Sequence, residues 1–185
     1  MKIQLMVTAT GEDRPGIVAR LTEVVVKHGG NLEASRMTIL GGEFAAISLV
    51  TVPEENAQAL EHSFSDLKND ELTIFCKKTR ALSKDRHAGY SFYDIALTGA
   101  DHEGIVHKIS AYLRDLNVNF QNVHTDIVHA PVSGSPLFTM HASIAVPPSI
   151  SFGELKKDMA KLADEEAVEI ELTPSSVNEV VGAKV

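Results

Sequence analysis

Thr10-Gly11-Glu12-Asp13-Arg14-Pro15-Gly16-Ile17-Val18 recurs 88 residues later as Thr98-Gly99-Ala100-Asp101-His102-Glu103-Gly104-Ile105-Val106, with six of nine residues identical. The apolar pattern continues at the same offset. Ile17, Leu21, Val24, Val25 and His28 map onto Ile105, Ile109, Tyr112, Leu113 and Leu116. Both sets have helical spacing and, His28 apart, give one apolar face. Asn31-Leu32 then matches Asn119-Phe120, and from Phe44/Phe138 to Val52-Pro53/Val146-Pro147 the offset is 94. The six extra residues fall in 129–136, a stretch rich in Pro, Gly and Ser that reads as a loop. The chain is a unit repeated twice.

Each copy parses alike. A strand (2–10, or 91–98) leads through a turn (11–15, or 99–103) into a helix that stops near Gly29-Gly30, or near Asn117. Pro15 suits the first helical turn, where its missing N–H has no partner to lose. Strands 32–40 and 43–52 flank Gly41-Gly42, a two-residue hairpin turn. A second helix carries Ala57, Leu60, Phe64 and Leu67, or Leu155, Met159 and Leu162. The alternating strand Leu72/Ile74/Cys76, or Val168/Ile170/Leu172, closes the unit. The order β-α-β-β-α-β is the split-βαβ plan, an α+β ferredoxin-like unit with helices on one face of a four-stranded antiparallel sheet. The expected boundaries are 1–78, a linker at 79–91, 92–173, and a tail at 174–185.

Composition narrows the function. Of 185 residues, 44% are hydrophobic and 23% charged, the balance of a folded globular chain. Aromatics are 5% with no Trp, which argues against a stacking platform for single strands. The net charge of −8 disfavours phosphate backbones, and the basic stretch with Arg80, Lys84 and Arg86 reads as a solvated linker. No run reaches the roughly 18 apolar residues of a membrane helix, and Met1–Gly11 has neither the basic start nor the length of a signal peptide. A cytoplasmic, membrane-free protein is expected. Cys76 is the only cysteine, so neither a disulfide framework nor a cysteine zinc site is expected.

The loop glycines Gly11 and Gly16, or Gly99 and Gly104, have the spacing that opens a P-loop. Ile17-Val18 and Ile105-Val106 stand where the Lys and hydroxyl are needed, which excludes nucleotide hydrolysis of that type. The loop still delivers the chain into a helix N-terminus, whose free N–H groups attract a small carboxylate. Asp13 or Asp101 beside it can hold an ammonium group, and together they complement a zwitterionic amino acid. The alternative is that both aspartates simply cap their helices. None of the eight histidines forms an HxxxH or HExxH pair, Ser35, Ser110 and Ser133 lie in no recognisable triad, and Asp164-Glu165-Glu166 reads as a solvated helix end. Neither metal, cofactor nor catalytic constellation is expected.

The Asp13-Arg14-Pro15-Gly16-Ile17-Val18 loop, the Gly-Gly-Asn31 turn and the βαββαβ order resemble an ACT domain, present twice. His102-Glu103 departs from the pattern in the second copy. The resemblance implies a regulatory module without catalytic activity that binds a small amino acid, and the tandem form is similar to ACT-domain regulators of glycine metabolism. In serine-binding members the ligand contacts come from the first loop and from an Asn opening the second strand. Those positions are Gly11, Asp13 and Asn31 here, and Gly99, Asp101 and Asn119 in the second copy, with Arg14, Pro15, Gly16 and Gly104 completing the loops. The serine binders have His at the Gly11/Gly99 position and Asn at the Asp13/Asp101 position. Glycine or serine is the first ligand expected, held between two ACT units paired within the chain or in a homodimer. Any transcriptional effect would pass through a DNA-binding protein partner. The alternative is a ligand-free interaction module working through its sheet edges. ACT-like loops also precede the catalytic part of formyltetrahydrofolate deformylase, but here a second unit fills that length.

The charge distribution generates a first prediction. Fluorescence anisotropy at near-physiological salt should show no binding of the isolated protein to DNA. Salt-dependent submicromolar binding would overturn the protein-partnered reading.

Overall fold

The computed structural model describes residues 1–67, 72–79, 88–131 and 133–175. They form two compact units, one on either side of residue 80 to 87. The first runs β1 (Lys2–Glu12), α1 (Ile17–Lys27), β2 (Asn31–Leu40), β3 (Glu43–Pro53), a 3₁₀ turn (Glu54–Asn56), α2 (Ala57–Leu67) and β4 (Leu72–Thr79). The second runs β5 (Ser91–Ala100), α3 (Ile105–Asp115), β6 (Asn119–His129), β7 (Pro136–Val146), α4 (Phe152–Glu166) and β8 (Val168–Pro174). The sheets are antiparallel and ordered β2-β3-β1-β4 and β6-β7-β5-β8. This is the expected α+β plan, written twice.

Strand alternation sends one set of side chains toward the helices in each unit. Leu5, Val7 and Ala9 of β1 and Phe44, Ala46, Val50 and Val52 of β3 are buried against Leu21, Val24 and Val25 of α1 and Leu60 and Phe64 of α2. In the second unit Ile95, Leu97, Met140 and Ile144 meet Ile109 and Leu113 of α3 and Leu155 and Met159 of α4. His28, the polar member of the first helical face, sits at the C-cap of α1. Its Nδ1 lies 2.9 Å from the Val24 carbonyl and its Nε2 3.3 Å from Ser63 Oγ on α2. Gly41 and Gly42 turn the β2–β3 hairpin at φ +61° and +86°.

Several boundaries differ from the expected ones. β1 and β5 continue to Glu12 and Ala100, so Gly11 and Gly99 are strand residues rather than turn residues. Pro15 lies ahead of α1, whose N-cap is Gly16, and is not in the first helical turn. Thr79 closes β4 and Ser91 opens β5. The basic positions Arg80, Lys84 and Arg86, and the tail from residue 176 onward, lie outside the described residues.

Gly99 shows why one residue of the repeated motif is glycine. A Cβ there would stand 2.8 Å from the Val168 Cβ and 3.1 Å from its Cα, closer than packed atoms tolerate. Gly99 pairs with Val168 across β5 and β8, so the strand neighbour itself excludes a side chain. Gly99→Ala should therefore lower the stability of the second unit by about 1–3 kcal/mol in urea unfolding. An unfolding midpoint equal to wild type would show that the β5–β8 ladder opens freely.

Candidate functional site

The two loops have the same backbone despite their different sequences. Gly16 takes φ +95° and ψ −5°, Gly104 φ +94° and ψ −5°, and each is the N-cap of its helix. Nothing lies within 4 Å of where a Cβ would stand at either position, so the left-handed conformation alone favours glycine there. Neither helix has a side-chain cap or an acidic residue in its first turn. Asp13 and Asp101 therefore do not cap α1 and α3, which removes the structural alternative left open by the sequence. Both are exposed. The helix N-termini keep their positive dipole ends without a carboxylate of their own in the first turn.

The loop of the first unit is joined to its sheet through the Asp13 N–H, which donates to the Gly42 carbonyl of the hairpin at 2.9 Å. Arg14 pairs with Glu12 at 2.7 Å on the surface. Asn31 lies elsewhere. It pairs with Thr51, whereas Gly11 pairs with Phe44, and those β3 partners are seven residues apart. At the rise of an antiparallel strand this is about 23 Å. The second unit repeats the separation, with Asn119 opposite Ala145 and Gly99 opposite Phe138. Within a unit the structure thus brings Gly11, Asp13, Arg14, Pro15 and Gly16 together, and likewise Gly99, Asp101 and Gly104. It does not bring Asn31 or Asn119 to them.

Asn31 has a partner of its own. Its amide donates to Glu33 Oε1 at 3.1 Å, and the Thr51 hydroxyl donates to the same oxygen. Those two bonds, the Thr51 hydroxyl first, hold the Glu33 carboxyl below its ordinary range. Glu33 occupies a β-bulge, where the β2–β3 register shifts between Leu32 and Ala34.

The second loop has different anchors. His102 Nε2 donates to the Glu166 carbonyl at 3.0 Å. The Glu166 carboxylate takes Lys108 Nζ on both oxygens, at 2.6 and 2.8 Å. With its side chain 5% exposed, Glu166 is not part of a solvated helix end, contrary to the expectation from its acidic neighbours. Sequence reasoning missed it because Asp164-Glu165-Glu166 carries no mark of which member turns inward. It also missed His124 and His141, which face each other across β6 and β7 at positions 17 residues apart.

No group of three potential metal ligands converges among the described residues. Burial, with a smaller push from Glu61, raises the Cys76 thiol to about 11, which keeps it protonated and unreactive near neutrality. No helix is long and apolar enough to cross a membrane among the described residues.

Residues 4–77 match the ACT domain family. The glycine cleavage system transcriptional repressor of Escherichia coli (strain K12) is 34% identical over 107 residues, 58% of this chain and 56% of that protein. The chain thus spans a little over half the length of this curated relative. A solved protein of unknown function from Galdieria sulphuraria superposes with a TM-score of 0.79 at 27% identity, covering 95% of this chain and 99% of that one. A structure assigned to a glycine cleavage system transcriptional repressor gives a TM-score of 0.67 at 20% identity over 94% and 97% of the two chains, a likeness of fold.

The uncapped loops generate a prediction that the capped helix α4 controls. There the Ser151 hydroxyl accepts from the Glu154 N–H at 3.2 Å, and the Glu154 carboxylate accepts from the Ser151 N–H at 3.2 Å. In thermal unfolding without ligand, Asp13→Ala and Asp101→Ala should each stay within about 0.5 kcal/mol of wild type. Ser151→Ala should cost about 1 kcal/mol. Equal losses at all three positions would restore the capping role to the aspartates.

Proposed function

We propose that this chain, whose residues 4–77 match the ACT domain family and which repeats the same fold in a second unit, is a non-enzymatic regulator responding to a small amino acid. The observation that carries the proposal is the separation of loop and asparagine. Asp13 with the uncapped α1 terminus offers complements to an ammonium and a carboxylate. Asn31 stands at the other end of the same sheet, on the edge strand β2. One unit alone therefore has only half of such a site.

The same unit of a second copy of this chain completes it if the two β2 edges pair antiparallel. The edge has unused N–H and C=O groups to do so, and Ile39 and Leu40 on β2 are largely exposed. Antiparallel pairing sets the start of one strand beside the end of the other. The Asn31 position then comes to the hairpin that holds the Asp13 loop. A ligand in that place bridges two units, and its presence or absence changes the surface offered to other proteins. The regulatory reading is supported by the similarity to the glycine cleavage system transcriptional repressor, which makes glycine the first ligand to test and serine the second. With a net charge of −8, an effect on transcription passes through a DNA-binding partner.

Thermal-shift screening against the proteinogenic amino acids tests this reading. Glycine or serine at 100 times its dissociation constant should stabilise the protein by about 2.7 kcal/mol. Asp13→Ala should abolish the shift. So should Asn31→Ala, although it lies at the far end of the sheet from the loop. If no amino acid shifts wild-type protein, the chain is a ligand-free module acting through its sheet edges.

A further inference from the structure

The second loop departs from the first at the pair His102-Glu103, and its surroundings show what the change accomplishes. Residue 102 reaches across to the end of α4, where its ring donates to the carbonyl of Glu166 at 3.0 Å. The side chain of the same glutamate points inward and is 5% exposed. A carboxylate so buried persists only with a counter-charge and hydrogen bonds. Lys108 provides both, binding the two oxygens at 2.6 and 2.8 Å. Lys108 is the fourth residue of α3, and its backbone N–H donates to the carbonyl of Gly104, the loop residue that starts the helix. One residue at the end of α4 thus grips both sides of the loop, His102 through its backbone and the first turn of α3 through its carboxylate.

The grip bears on what the loop can bind. A zwitterion entering it needs a donor or cation for its carboxylate and an acid for its ammonium. Asp101 is exposed and fits the second need. The N–H groups that open α3 are as uncapped as those of α1, but Lys108, the cation on the turn next to the loop, already holds a carboxylate with both oxygens engaged. That carboxylate belongs to the protein and cannot be displaced without exposing a buried side chain.

We infer that Glu166 is an internal carboxylate that latches the second loop shut, so that this loop does not take the small molecule. The latch rests on the distances above. Its consequence for ligand binding rests on the amino-acid reading of the previous section. The two repeats then divide the work, the first loop answering the metabolite and the second acting as a fixed support.

Hydrogen exchange on the full chain, read by mass spectrometry, tests the latch without any ligand. His102→Ala should speed exchange of the amides at 101–106 by about ten-fold and leave those at 13–18 within about two-fold of wild type. Replacing the buried pair together, Lys108→Met with Glu166→Leu, should do the same while avoiding an orphaned charge. If that double variant loses protection throughout the β5–β8 ladder, the His102 variant decides, because it alters only the loop. Exchange at 101–106 unchanged in the His102 variant would overturn the latch. A second arm uses glycine and serine: Asp101→Ala should keep the thermal shift of wild type, and loss of the shift in that variant would overturn the inference. If wild type shows no shift at all, the amino-acid reading fails alone, and the exchange result still decides the latch.

Discussion

The return of the first helix along the sheet governs everything proposed for this protein. Eleven residues of α1 carry the chain back over β1, so that β2 starts at the end of the sheet where β1 started. Loop and asparagine, separated by fewer than twenty residues of sequence, end about 23 Å apart. No side-chain rotamer spans that distance. A site that uses both must draw them from the first units of two copies of the chain. The free β2 edge, with its exposed Ile39 and Leu40, is where such a join can form.

Duplication kept the backbone and altered the anchors. Gly16 and Gly104 hold the same left-handed conformation within a degree, which the turn from strand to helix requires whatever surrounds it. The neighbouring positions were free to diverge. Arg14 pairs with Glu12 on the surface, whereas His102 reaches the end of α4. The faces away from the helices diverged as well. In the first sheet this face carries Met6, Ile47, Leu49 and Phe75, with Ile47 and Phe75 exposed, and in the second it carries Asp94, His124, Asp126, His141, Glu169 and Glu171.

The fold was legible because periodicity and repetition are properties of the chain itself. The apolar stripe from Ile17 to Val25 and the alternation of Leu72, Ile74 and Cys76 each report a buried face, and the repeat offset ties the two copies together. The first loop was legible in part for the same reason, since Gly16 marks a left-handed backbone conformation, whereas Gly11 proved to be a strand residue. What stayed hidden depends on contacts between residues far apart in sequence. Nothing near Gly99 announces Val168, and nothing near Glu166 announces Lys108 58 positions earlier. The capping alternative for Asp13 and Asp101 also needed coordinates, because a glycine N-cap three residues later leaves an aspartate too early to reach the helix N–H groups. The separation of Asn31 from the loop follows from topology, and strand order alone, without register, does not give its size.

The central proposal is that a small amino acid is held by the Asp13 end and the Asn31 end of the first sheet, brought together from two copies of the chain. Backbone amide chemical shifts, followed by NMR as glycine or serine is titrated, test it most directly. The account predicts one saturable process that moves the amides of Gly11 to Gly16 and those around Asn31 in parallel, with the same midpoint. Shifts confined to one end of the sheet, or two groups saturating at different concentrations, would contradict it.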